Sequence, residues 1–174
     1  MKYILLVLIL SSYTTFANKA PVSELSRLPY TIVPGKTKLT KINKHGECIE
    51  KGVAFGYYVT CSKFLLKDKN LVDLDDEETV NRLHLKHIPK NWSKLGFSKK
   101  MSFRLFKDLL AKHHVVEYDV TTNDTFYIVK FKLNDLNYEL IFNRQTYYST
   151  GTIMFPEGLH EIYIEYKAKL DLDF

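Results

Sequence analysis

The chain has few of the residues that build backbone-lined binding sites. Seven glycines occur in 174 residues, and none lies in a phosphate-cradling loop, a dinucleotide-binding fingerprint or a Gly-x-Ser-x-Gly nucleophile turn. The cysteines and histidines show no zinc-binding spacing such as Cys-x-x-Cys or His-Glu-x-x-His. These absences disfavour nucleotide-binding proteins, serine hydrolases and zinc enzymes. The sequence therefore predicts no cofactor, no metal site and no defined catalytic set.

Long apolar runs are missing after the N-terminus. Residues 4–10 form an apolar run behind Lys2, and Thr15 and Ala17 supply small residues at the −3 and −1 positions of a cleavage site. Seven apolar residues are too few to span about 30 Å of hydrocarbon. Residues 1–17 are therefore predicted to be a cleaved signal peptide, with no membrane span after cleavage. We expect an exported protein, periplasmic in a Gram-negative cell or otherwise secreted.

Cysteine is scarce, with Cys48 and Cys61 as its two occurrences. In an exported chain, two cysteines within one short segment are expected to form a disulfide. Two glycines mark a tight turn between them, so residues 47–51 and 57–62 are predicted to be the arms of a hairpin. Pairing the cysteines across this hairpin would set Glu50 opposite a residue of the second arm, Val59.

Nothing in the rest of the chain divides it into parts. No internal repeat, low-complexity tract or linker occurs, so residues 18–174 are predicted to form one globular domain. Three prolines between residues 18 and 34 predict an extended arm. Lys38–Ile42 is predicted to be a strand.

Two segments show helical patterns. Asp73–Pro89 has acidic residues after Asp75 and basic residues before Pro89, the charge order that favours a helix capped by Asp75. A second helix is predicted to begin after Ser98, because apolar residues then recur at helical spacing. This apolar stripe consists of Met101, Leu105, Phe106, Leu109, Leu110 and His113.

From Val115 onward the pattern alternates with a period of two, which indicates strands. Residues 126–133 and 161–174 each present one apolar face, and turns are predicted at residues 134–135 and 156–158. The predicted fold class is α+β: an antiparallel β-meander of about five strands, packed by one or two short helices. The disulfide-bearing hairpin precedes the meander in the chain.

Basic residues are interleaved with acidic ones except between Lys94 and Lys112. The net charge of +5 is mild, so there is no strong nucleic-acid signal. The candidate binding residues are basic side chains of the second helix and tyrosines on predicted polar faces: Lys99, Lys100, Arg104, Lys107, Tyr147 and Tyr148. Asn91 and Asn123 begin N-glycosylation patterns that would matter only in a eukaryotic host.

The leading hypothesis is a small exported module that binds another protein, as an inhibitor or a toxin-immunity protein does, rather than an enzyme. One alternative is a ribonuclease-like hydrolase acting on an anionic polymer, which would use His84, His87, His113 or His114 beside the basic helix. Another is an envelope protein that carries an apolar ligand. The sequence does not define the partner, the ligand or the oligomeric state.

Overall fold

The computed structural model describes residues 28–54, 56, 58–113, 115, 117–147, 149–151 and 153–166. The predicted signal peptide, most of the predicted arm and the end of the last predicted strand lie outside these residues. Within them the structure is mostly β, with an eight-stranded antiparallel sheet, a two-stranded sheet and few short helices. The helices are α1 (Leu39–Ile42), followed by a 3₁₀ turn (Asn43–His45), α2 (Lys90–Lys94) and α3 (Phe103–Lys112).

The strands follow one another in short hairpins, except at the centre of the large sheet. They are β1 (Gly46–Ala54), β2 (Tyr58–Leu66), β3 (Leu71–Leu74), β4 (Val80–Leu85), β5 (Asp119–Thr122), β6 (Phe126–Leu133), β7 (Leu136–Asn143), β8 (Thr146–Tyr147), β9 (Ile153–Phe155) and β10 (Gly158–Tyr166). The order across the large sheet is β1-β2-β3-β4-β10-β7-β6-β5, and β8 pairs with β9 alone. Because β10 inserts between β4 and β7, the sheet is not the simple meander that the sequence predicted.

One face of the sheet forms the core. Inward residues of β7 and β10 are fully buried, as the period of two predicted, and α3 covers this face. The ring of Phe106 on α3 lies 5.1 Å from that of Phe142 on β7. Trp92 of α2 extends the same cluster, because its ring lies 4.7 Å from Phe97 and 6.4 Å from Tyr138. Helices and sheet thus share one aromatic core.

The helix predicted over Asp73–Pro89 is wrong, because this segment forms a β-hairpin. The carboxylate of Asp75 accepts hydrogen bonds from the backbone N–H groups of Glu77 and Thr79 at 3.0 and 2.8 Å, so it stabilises a turn between β3 and β4. In β4, buried and half-exposed residues then alternate over the last four positions. An aspartate carboxylate that accepts backbone N–H hydrogen bonds can cap a helix or stabilise a turn, and in this fold it stabilises the turn.

Two further predictions are corrected. Lys38–Ile42 is not a strand, since residues 39–42 form the short helix α1 and only Lys38 makes an isolated bridge, to Thr79. The predicted second helix exists, but it begins later than predicted. Its N-cap is Ser102, whose hydroxyl accepts a hydrogen bond from the N–H of Leu105 at 3.2 Å, rather than Ser98.

The predicted disulfide between Cys48 and Cys61 is confirmed, with the two Cα atoms 5.9 Å apart. The predicted register of its hairpin is wrong, because Glu50 pairs with Lys63 and Val59 pairs with Val53. Irregularities on either side of Glu50 shift the pairing. The strands β1 and β2 are also longer than the predicted arms.

Candidate functional site

Exposed apolar side chains lie on both sides of the β1–β2 hairpin, and we call this set the hairpin patch. It consists of Ile49, Val53, Tyr58 and Val59, which are 49%, 67%, 69% and 68% exposed. Val53 and Val59 are registered partners on one side, and Tyr58, next to Val59, lies on the other. In the described part of the chain, these are four of the six large apolar side chains that remain exposed; the others are Leu105 and Val120. Scattered apolar residues are ordinary on a surface, but a cluster marks a contact site.

Cross-links hold the hairpin in one conformation. The disulfide joins its strands, and a salt bridge of 2.7 Å connects Lys63 to Glu50. Gly56 at the turn has a φ of +73°, a conformation that glycine adopts without strain, and its position opens onto empty space. The hairpin lies at the edge of the sheet and presents its patch on a preorganised support.

The basic segment Lys94–Lys112 carries the net charge of the molecule. It contains one acidic residue, Asp108, and six basic ones: Lys94, Lys99, Lys100, Arg104, Lys107 and Lys112. Its net charge therefore equals the +5 of the whole chain, and the remainder is neutral.

The four predicted basic residues differ in their surroundings. Lys100 and Arg104 are exposed, whereas the ammonium of Lys99 donates a hydrogen bond to the carbonyl of His160. Partial burial lowers the pKa of Lys99. Lys107 lies with its ammonium 5.3 Å from the ring centre of Phe103.

The predicted tyrosines are only partly described. Tyr147 belongs to β8, and Tyr148 lies outside the described residues. The carboxylate of Glu157, which follows β9, accepts a hydrogen bond from the N–H of Phe103 at 3.2 Å. The structure thus brings the start of α3 next to the chain that leaves the β8–β9 hairpin.

The outer face of the large sheet is polar and ordered into rows. In one row the registered partners alternate in charge from β1 to β10: Glu50, Lys63, Asp73, Arg82 and Glu165. In the next row, His84 pairs with Tyr163, and their rings stack at 4.4 Å. Arg82, Tyr163 and Glu165 of these rows line a concavity of about 540 Å³ together with residues of β5, β6 and β7.

Glu161 is the centre of a half-buried polar cluster on this face. Its Oε2 accepts a hydrogen bond from the hydroxyl of Tyr163 at 2.6 Å and lies 3.2 Å from Nε2 of His84. Burial tends to raise the pKa of Glu161, but the Tyr163 hydrogen bond and the nearby imidazoles of His84 and His160 outweigh it, so this pKa is lowered. Burial also lowers the pKa of His84 and raises that of Tyr163.

The described histidines among those proposed for a hydrolase lie in different places. His84 is on the outer face, while the buried His113 ends α3 on the opposite side of the sheet. His87 is exposed after β4, and His114 lies outside the described residues. No group of three or more His, Cys, Asp or Glu side chains among the described residues could hold a metal ion.

A second cavity lies under the N-terminal described segment. It has a volume of about 520 Å³, and Ile32, Ile42 and Leu66 contribute apolar surface to it. Lys41 and Lys67 are exposed beside it. Such a cavity suits a small molecule with an apolar body and an anionic end.

Sequence reasoning missed the hairpin patch. The signal was present, because the ends of both arms carry apolar residues at consecutive positions, Val53 to Phe55 and Tyr57 to Val59. A strand that buries one face alternates, so consecutive apolar residues at a hairpin tip indicate a second apolar face.

In the described part of the chain, no helix has the length and apolar character needed to cross a bilayer. Comparison of the chain with protein-family models, with curated proteins and with solved structures gives no match.

Proposed function

We propose that this chain is an exported module that binds another protein through the hairpin patch. The observation that carries the proposal is the clustering of four exposed apolar side chains on one hairpin: Ile49, Val53, Tyr58 and Val59. Leaving apolar side chains in water forgoes about 25 cal/mol for each Å² that burial would remove. A partner that covers the patch recovers this free energy.

The hairpin suits a protein partner because it is preorganised. The Cys48–Cys61 disulfide and the Glu50–Lys63 ion pair limit the conformations that binding would have to restrict. A disulfide also accords with an oxidising compartment, as expected if residues 1–17 direct export. In an inhibitor or a toxin-immunity protein, the tip of such a hairpin would enter a cleft of the target.

The test is a pull-down with tagged, oxidised protein that lacks residues 1–17, from the envelope or secreted fraction of the native cells. One partner in stoichiometric amount is expected. The double substitution Val53→Ser and Val59→Ser should lose this partner, because it removes two apolar side chains of the hairpin patch. Both side chains are exposed, so the fold should stay intact. Val120→Ser removes an exposed valine from β5 instead and should retain the partner. A partner retained by the hairpin variant would refute the proposal.

The cavity near Ile32, Ile42 and Leu66 supports a second candidate function, carriage of an apolar ligand in the envelope. Mass spectrometry of solvent extracts from purified protein would detect a co-purified lipid. Substitution Ile42→Trp should fill the cavity and abolish co-purification. Absence of any lipid from the native protein would rule out this function.

A further inference from the structure

A groove of about 310 Å³ lies between α3 and the segment 96–101 that precedes it. Gly96 allows this close approach, because a Cβ at this position would lie 3.3 Å from Cδ1 of Leu109. Met101 and Leu109 line the groove but are buried, and its side carries Leu105, which is 57% exposed. The groove therefore offers an apolar strip of which Leu105 is the exposed part.

Basic residues border this strip. Lys100 and Lys112 both line the groove, and Arg104 and Lys107 lie on the exposed side of the same helix. Leu105 and Lys112 are seven residues apart, which corresponds to two helical turns, or about 10 Å. Asp108 lies between them in the sequence, four residues from both Arg104 and Lys112, a spacing that favours attraction to either cation. The surroundings of the groove keep a net positive charge.

We infer that this groove is a second binding site, and that its occupant is an acidic, amphipathic segment of a partner protein. Carboxylates of this segment would face Lys100 and Lys112, while apolar side chains between them cover Leu105. Charge complementarity selects this occupant, since the segment Lys94–Lys112 holds the whole net charge of the chain.

Other anionic partners fit the groove less well. An anionic membrane requires a helix face with several large apolar side chains, and Leu105 is the large apolar side chain that α3 exposes. Single-stranded nucleic acid requires exposed aromatic rings for base stacking. In the groove, Asp108 would in addition repel phosphates, whereas a peptide can place a donor or an apolar group beside it.

The site is independent of the hairpin patch. Strands β1 and β7 are five positions apart in the sheet, or about 24 Å at the usual strand spacing, and α3 packs over β7. The hairpin variant Val53→Ser with Val59→Ser should therefore bind an acidic peptide normally. Failure of the groove and failure of the hairpin proposal are thus distinguishable.

The experiment titrates ¹⁵N-labelled protein with a synthetic amphipathic peptide of alternating glutamate pairs and leucine pairs. Amide shifts should change at Gly96, Leu105 and Leu109. The double substitution Lys100→Glu and Lys112→Glu should weaken binding about tenfold or more. The matched control, Lys44→Glu with Lys90→Glu, changes the net charge equally at exposed lysines elsewhere and should leave the affinity unchanged.

Further binding measurements distinguish specific binding in the groove from general attraction of anions to basic residues. Leu105→Ser should weaken binding of the glutamate–leucine peptide, and a peptide with glutamine in place of glutamate should not bind. Poly-glutamate should bind more weakly than the amphipathic peptide. The inference is overturned if the peptide shifts no groove amides, if Lys100→Glu with Lys112→Glu binds as the control does, or if phosphatidylglycerol vesicles bind and the peptide does not.

Discussion

Phe106 and Leu105 are neighbours on α3 with opposite surroundings. Phe106 is fully buried, and its ring lies 5.1 Å from Phe142 and 6.4 Å from Phe131. Leu105 points away from this cluster and is 57% exposed, although both belong to the apolar stripe that the sequence predicted. Helix α3 therefore packs on the sheet through the Phe106 side of the predicted apolar stripe, and the Leu105 side faces solvent.

Substitution of these two residues tests that orientation. Phe106→Ala should lower the free energy of unfolding by about 3–5 kcal/mol, because it leaves a cavity among aromatic rings. Leu105→Ala should change it by about 0.5 kcal/mol or less, as is usual for an exposed position. Urea denaturation followed by Trp92 fluorescence measures both. Similar losses in the two variants would contradict the orientation of α3.

His84 is half-buried on the outer face, stacked on Tyr163 and close to Glu161. Burial lowers its pKa below the ordinary 6.5. The unfolded chain therefore binds a proton at this histidine at a higher pH than the folded protein does. The free energy of unfolding therefore decreases as the pH falls through 6.5, and it continues to decrease until the folded histidine is protonated.

We therefore expect the free energy of unfolding to decrease from about pH 7.5 to about pH 5, a range above the titration of most carboxylates. His84→Gln should make this decrease smaller. The exposed His87 provides the control, since His87→Gln should leave the pH dependence as it is in the native protein. Urea denaturation at a series of pH values measures the effect. An unchanged profile for His84→Gln would contradict the assignment.

At the scale of elements, the alternating charges on the outer face are a device for strand register. Each acid in the row from Glu50 to Glu165 has a basic partner on the neighbouring strand. Arg82 illustrates this, because its guanidinium lies 2.7 Å from Asp73. A slip of one residue would turn these charges toward the core, so the row disfavours wrong pairings.

The hairpin depends on its disulfide, which closes a loop with a sequence separation of 13. Replacing both cysteines, Cys48→Ser with Cys61→Ser, should lower the free energy of unfolding by about 3 kcal/mol through loop-closure entropy. Urea denaturation with and without a reductant measures this loss. The reductant should destabilise the native protein to a similar extent and leave the variant unaffected. A native protein insensitive to reduction would refute the stabilising role.

Elements with a strict period were predictable from the sequence, whereas the hairpin around Asp75 was not. Strands β6 and β7 follow from alternation and from Asn134, whose φ of +55° turns the chain between them. Asp75 misled the prediction, because a carboxylate that binds N–H groups caps a helix or a turn equally well. The basic segment could be predicted from composition, whereas the apolar groove beside it depends on the tertiary fit of Gly96 against Leu109.

At the scale of the whole molecule, β10 joins two halves of the sheet. On one side it pairs with β4, so that Ile162 lies opposite Leu85, and on the other it pairs with β7, where Ile162 faces Leu140. All three side chains are fully buried. The central strand β10 therefore joins the β3–β4 hairpin and the β6–β7 hairpin into one sheet.

Ile162→Ala should destabilise the sheet as one unit, by about 2–5 kcal/mol. Transitions followed by Trp92 fluorescence and by far-ultraviolet circular dichroism should shift together and coincide. Ile128→Ala on β6, where the side chain is partly exposed, should cost less. Separate transitions in the Ile162→Ala protein would show that the two halves unfold independently.

The central position of β10 also has a consequence for synthesis. Seven strands of the large sheet leave the ribosome before β10 does. Until Gly158–Tyr166 emerges, β4 and β7 each keep an unpaired edge, so the nascent chain cannot complete its core. Closure of the sheet is then the last step in the assembly of its strands, and β4 and β7 present those two edges to other chains until β10 has emerged.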